Sequence, residues 1–126
     1  MQDPDFPEEL QRLIEAAVPS VEAAELLLAL HARADRDWTA AELVHAVRPT
    51  RIDPATVAKT LELFAARGLA EARPGGGFRY RVATPELDAL VRALAKAYNE
   101  RPVTLIRAIY TAKIRLFADA FRIKKE

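Results

Sequence analysis

Phe6, Leu10, Leu13, Ile14 and Ala17 recur at i, i+4, i+7, i+8 and i+11, the spacing of one apolar helix face. Pro7 suits the first turn of that helix, and Glu8 and Glu9 complement the positive end of its dipole. Pro19-Ser20 interrupts the pattern, and Ser20 is placed to cap a second helix running from Val21 to about Arg33. Leu26, Leu27, Leu28 and Leu30 spread around more than half of its circumference, which predicts the most buried element of the chain. Asp35-Arg36-Asp37 reads as a polar loop. Thr39 and Glu42 then form a capping box, with Trp38 and Leu43 at the two positions of a hydrophobic staple. The helix they open is short, because Pro49 stops it after Val47-Arg48. Leu43, Val44 and Val47 supply its core face.

The following helix is signed at both ends. Asp53 caps it and Pro54 occupies its first position, where a missing N–H costs nothing. Gly68 ends it, and Leu69 can pack back across the cap. Val57, Leu61 and Phe64 make its buried stripe, which leaves Thr56, Lys59, Thr60 and Glu62 or Leu63 on the opposite face. Two strands are predicted next, from Leu69 to Arg73 and from Phe78 to Val82, joined at Pro74-Gly75-Gly76-Gly77. In the second strand Phe78, Tyr80 and Val82 alternate with Arg79 and Arg81, so one face is apolar and the other basic. Thr84-Pro85-Glu86 opens another helix with Leu87, Leu90, Val91, Leu94 and Tyr98 on one side. Pro102 breaks or kinks the chain. Beyond it Val103, Ile106, Ile109 or Tyr110, Ile114, Phe117 and Phe121 follow at spacings of three and four, a pattern that one helix or two could satisfy over residues 103–122.

This order predicts a mainly α (α+β) protein: a winged helix-turn-helix with a two-stranded wing and additional N- and C-terminal helices. A single domain over residues 1–126 is expected, with the helix-turn-helix at about 39–68, the wing at about 69–82 and a C-terminal helical extension at 85–122.

Charge changes the picture more than composition does. The formal net charge is only +1, but residues 1–26 hold seven acids against Arg12. Residues 48–81 hold seven bases against Asp53, Glu62 and Glu71, and residues 101–126 hold seven against Asp119 and Glu126. A nearly neutral chain can therefore carry a basic face. There are no cysteines, which excludes a disulfide framework, a thiolate metal site and a thiol nucleophile. The longest apolar run, Leu26–Leu30, is too short for a membrane span, and the acidic N-terminus does not resemble a signal peptide. A cytoplasmic location is expected.

The segment Trp38–Val82 resembles the winged-helix domains of MarR- and ArsR-type bacterial transcription regulators. The resemblance is carried above all by residues 53–70, DPATVAKTLELFAARGLA, a helix running into a short apolar exit through Arg67-Gly68-Leu69. It covers roughly a third of the chain. It implies that helices outside the winged helix pair two subunits, a role that segments 5–18 and 85–122 would suit.

On that reading Thr56, Lys59 and Thr60 meet base edges in the major groove, and Arg48 and Arg51 grip phosphates from the turn. Arg73, Arg79 and Arg81 flank the neighbouring groove from the wing. The partner is double-stranded DNA, read by a homodimer. Lys59 is the only base of that helix before Arg67, and Glu62 would face phosphates; both favour a rival, a winged-helix adaptor that binds a protein partner without touching DNA. The basic C-terminus admits three uses: a dimer contact through Ile106, Ile109, Ile114, Phe117 and Phe121, an intramolecular lid, or a membrane-surface helix.

Nothing points to catalysis. Glu42 and His45 are spaced like half of a di-iron motif, but Glu42 is already used by the capping box and His31 is the only other histidine. Ser20, the sole serine, reads as a cap. The glycine run at 75–77 does not open a helix as a phosphate-binding loop must, and Asp35 and Asp37 lack a carboxylate constellation around them. No enzyme activity, metal or cofactor is expected.

Overall fold

The computed structural model describes residues 7–47 and 52–125, with side chains described as far as residue 114. The chain is mainly helical with one small antiparallel sheet. In order, the elements are α1 (Glu8–Ala17), α2 (Val21–Ala32), β1 (Asp37–Trp38), α3 (Ala40–Ala46), α4 (Pro54–Ala66), β2 (Ala70–Ala72), β3 (Phe78–Tyr80), α5 (Pro85–Glu100) and α6 (Pro102–Lys125).

The helix starts follow their caps. The Ser20 hydroxyl accepts the Ala23 N–H at 3.1 Å, and the Thr84 hydroxyl accepts the Leu87 N–H at 3.2 Å. The capping box of α3 closes in both directions: Glu42 N–H donates to Thr39 Oγ1 at 3.2 Å, and Thr39 N–H donates to Glu42 Oε1 at 2.9 Å. Those contacts, led by the bond to the Thr39 backbone, hold the Glu42 carboxyl below its usual pKa.

α2 is the hub, packing against α3, α4, α5 and β3. Ala23, Ala24, Leu26, Leu27 and Leu30 are buried on several of its sides, as an all-round apolar helix requires. Around it lie Leu10, Ile14, Leu43, Val57, Leu61, Phe64, Leu69, Val91, Leu94 and Leu105 in one continuous core. α6 lies against α1 and α5. It is one helix from Pro102, because proline at the first helical position forfeits no hydrogen bond.

The sheet corrects the two-stranded expectation. Three strands stand in the order β1-β3-β2, with Asp37 and Trp38 paired to Arg79 and Phe78. Asp37 is therefore a strand residue and not part of the polar loop. β2 and β3 are shorter than the sequence pattern suggests, but Arg73 N–H to Gly77 O (2.7 Å) and Arg81 N–H to Leu69 O (3.2 Å) continue the pairing at either end.

Glycine is needed at the exit of α4 and at the hairpin tip. Gly68 has φ +75°, and a Cβ there would stand 3.0 Å from the Ala83 Cβ. Leu69 N–H returns to Phe64 O at 2.8 Å, which closes the helix and buries Leu69. Gly75 and Gly76 carry φ of 92° and 90° in the turn.

Candidate nucleic-acid interface

α4 is anchored at its start by Asp53. Its Oδ1 accepts the Thr56 N–H at 2.9 Å and its Oδ2 accepts the Thr56 hydroxyl at 3.0 Å. Hydrogen bonding from the Thr56 backbone and then its hydroxyl lowers the Asp53 pKa, so the cap is charged at neutral pH. The helix packs on α3, β2 and α2. Its outer face, with Ala55, Thr56, Lys59, Glu62 and Ala66, is exposed. Lys59 forms no ion pair there among the described residues.

Thr60 does not share that face. It is only 9% exposed, and its hydroxyl donates to the Thr56 carbonyl at 2.9 Å. Val57, Thr60, Leu61 and Phe64 form a stripe at i, i+3, i+4 and i+7, so Thr60 belongs to the packed side. Arg67 is also committed elsewhere: its Nε donates to the Ala16 carbonyl at 3.1 Å, tying the end of α4 to α1. Arg48 and Arg51 lie outside the described residues.

The sheet brings together the three arginines expected on a wing. Alternation along antiparallel strands puts Asp37, Glu71, Arg73, Arg79 and Arg81 on one face, with Trp38, Ala70 and Tyr80 on the buried other face. Arg79 sits directly between Asp37 on β1 and Glu71 on β2 in the register. Its Nε donates to Asp37 Oδ1 at 2.7 Å. Arg73 Nε stands 3.4 Å from the same oxygen, and Arg73 Nη1 stands 3.5 Å from Glu71 Oε2. Arg81 Nη1 lies 3.6 Å from that Glu71 oxygen. Three guanidiniums and two carboxylates leave this face with one net positive charge.

Sequence reasoning missed both acids. Glu71 and Arg73 at i, i+2 opposite Arg79 and Arg81 at i, i+2 is a visible cross-strand charge pattern once register is known. Asp37 could not be found that way, since nothing in a two-residue strand shows periodicity. Beside it Arg36 is also engaged, stacked 3.8 Å over the Trp38 ring and 3.0 Å from Glu42 Oε2.

α6, packed on α1 and α5, carries a different kind of face. Val103, Ile106, Tyr110 and Ile114 are exposed large hydrophobic residues at spacings of three and four. Val103 and Ile114 each leave 66% of their surface in solvent. Ile109, expected among them, is 2% exposed and packs inward with Leu105 and Ala112 at i−4 and i+3. The side chains of Phe117 and Phe121 lie outside the described residues.

Two tyrosines tie α5 to its neighbours, β3 and α2. The Tyr80 hydroxyl donates to Asp88 Oδ1 at 2.7 Å, and burial followed by that carboxylate raises its pKa well above the ordinary value. The Tyr98 hydroxyl donates to Glu25 Oε2 at 2.6 Å, a bond that, with burial, pushes its pKa up to about 12. No group of three or more histidine or acidic residues among the described residues could hold a metal ion. None of the described helices is long and apolar enough to cross a membrane.

No family model matches this chain, and neither a curated protein nor a solved structure does so.

Proposed function

We propose that this chain is a winged helix-turn-helix regulator that binds double-stranded DNA, acting in the cytoplasm as a homodimer. α3 and α4 are its helix-turn-helix, α4 its recognition helix, and the β2–β3 hairpin its wing. The strand order supports the fold assignment: a short strand between α2 and α3 pairs with the second strand of the hairpin, and the hairpin directly follows α4.

The observation that carries the DNA reading is the outer face of α4. It is a capped helix of 13 residues, packed along one side only, that turns Thr56 and Lys59 to solvent, Lys59 without an ion pair among the described residues, and the sheet that follows it bears three arginines on one face. In the major groove Thr56 and Lys59 would reach base edges, while Arg73, Arg79 and Arg81 would hold phosphates alongside. Arg48 and Arg51 join that set by their place in the sequence between α3 and α4. The α6 stripe of Val103, Ile106, Tyr110 and Ile114 would pair two copies, so that two α4 helices meet half-sites about one helical turn apart.

A salt titration tests the reading. With a labelled mixed-sequence duplex, fluorescence anisotropy should report binding at low salt that weakens steeply as salt rises, since about 0.9 counterions are released per phosphate neutralised. Absence of binding at low salt would reject it. One observation favours a second reading, a protein-binding adaptor: Asp37 and Glu71 already occupy the wing arginines that DNA would use.

A further inference from the structure

We propose that Asp37 and Glu71 mask the wing arginines, so that a polyanion meets this face with one net positive charge and not three. The inference rests on the nucleic-acid reading above and adds to it a device that keeps non-specific affinity low.

The geometry has the form of a built-in competitor. Asp37 Oδ1 lies within 3.4 Å of Arg73 and 2.7 Å of Arg79, and Glu71 Oε2 lies within 3.6 Å of Arg73 and Arg81. A carboxylate and a phosphate present the same pair of acceptor oxygens to a guanidinium. A DNA phosphate that engages these arginines must therefore share them with, or displace, an acid that stays beside it. At physiological salt the displaced charge remains well inside the screening length of about 8 Å, so it continues to repel the phosphate. The masked face then yields fewer released counterions than its arginine content suggests.

These pairs have little else to do. The side chains are 31–72% exposed, and ion pairs in that setting contribute little to folding. Asp37 comes from β1, outside both the recognition helix and the hairpin, so altering it leaves the groove-facing residues of α4 untouched. Lys59 is the contrast: with no acid paired to it among the described residues, it meets a phosphate or base at full charge.

The test compares the full chain with Asp37→Asn, Glu71→Gln and the double variant. A charge-matched control, Glu9→Gln with Glu100→Gln, removes two exposed acids from α1 and α5. Each protein is run over heparin and titrated with the mixed-sequence duplex. The double variant should elute from heparin at higher salt, bind duplex about tenfold more tightly at low salt and steepen the salt slope by about two, while the control shifts affinity less than twofold. Circular dichroism should show the same helical content throughout. A double variant that binds like the wild type, or more weakly, overturns the masking, and weaker binding would mean that the acids position the arginines. An equal gain in the control overturns it too, since net charge alone would then explain the effect. Tighter heparin binding without duplex binding upholds the masking and rejects the DNA reading. Duplex binding by every protein with no difference rejects the masking alone, and failure of all of them to bind heparin or duplex rejects both.

Discussion

α4 and α6 each bury one stripe on the shared core, but α4 turns Thr56, Lys59 and Glu62 to solvent, whereas α6 turns Val103, Ile106, Tyr110 and Ile114. A helix with a polar second face is stable in water and free to meet a polyelectrolyte. A helix with an apolar second face exposes area that water penalises at roughly 25 cal/mol per Å² until something covers it. The two helices therefore present different chemistry to solvent. On the proposed function, Lys59 and the arginine face would meet a polyanion and the α6 stripe a second copy of the chain.

The largest effect should separate buried face from exposed face. Phe64 is fully buried on α4, so Phe64→Ala should cost about 3–5 kcal/mol in urea unfolding, while Ile114→Ala should cost a monomer less than about 0.5 kcal/mol. Comparable losses would mean that Ile114 is packed and not the exposed residue described.

Next comes the stripe itself. Light scattering at micromolar concentration should give the mass of two chains for the wild type and of one chain for Ile106→Glu with Tyr110→Glu. Lys59→Ala should leave the dimer intact. A wild-type mass of a single chain would remove the second copy as the cover of α6.

Within α4, Thr60→Val sharpens the contrast between its two sides. Thr60 is packed and Lys59 is not, so Thr60→Val should leave duplex affinity within about twofold and shift stability by less than about 1 kcal/mol. A loss of affinity like that of Lys59→Ala would put Thr60 back on the solvent-facing side.

The smallest effect lies in acid. Asp53 and Glu42 have folded pKa values below their ordinary 3.8 and 4.5, so their caps contribute stability above those values. That contribution is lost as pH falls below them and through the lower folded values. Thermal unfolding followed from pH 6 to pH 2 should show the midpoint falling at the acid end. Asp53→Asn should shallow that fall, since asparagine caps a helix without titrating.

The parts of the fold that could be read in the sequence are those set by local chemistry. Ser20, Thr39 with Glu42, Asp53-Pro54 and Thr84-Pro85 mark helix starts through bonds reaching only three residues ahead. Gly68 and the glycine tip mark turns through their own backbone freedom. What stayed hidden depends on residues distant in sequence. β1 exists because Asp37 and Trp38 meet Arg79 and Phe78, some forty positions on. Thr60 resembles a surface residue until α4 is docked, and its hydroxyl is then satisfied by its own helix. Ile109 and Tyr110 are adjacent on an apolar helix, and only the placement of α1 and α5 decides that the isoleucine goes inward. The hairpin arginines were legible as charges. Their neutralisation was not, because it needs the register that brings Asp37 and Glu71 to either side of Arg79.

On the proposed function, Lys59 on α4 and the arginines of the sheet act together on DNA. Duplex anisotropy on the combined Lys59→Ala, Arg79→Ala, Arg81→Ala variant tests it most directly. Binding at low salt should be at least about a hundredfold weaker and the salt slope smaller by about two, with circular dichroism unchanged. Wild-type affinity and slope in that folded variant would contradict it.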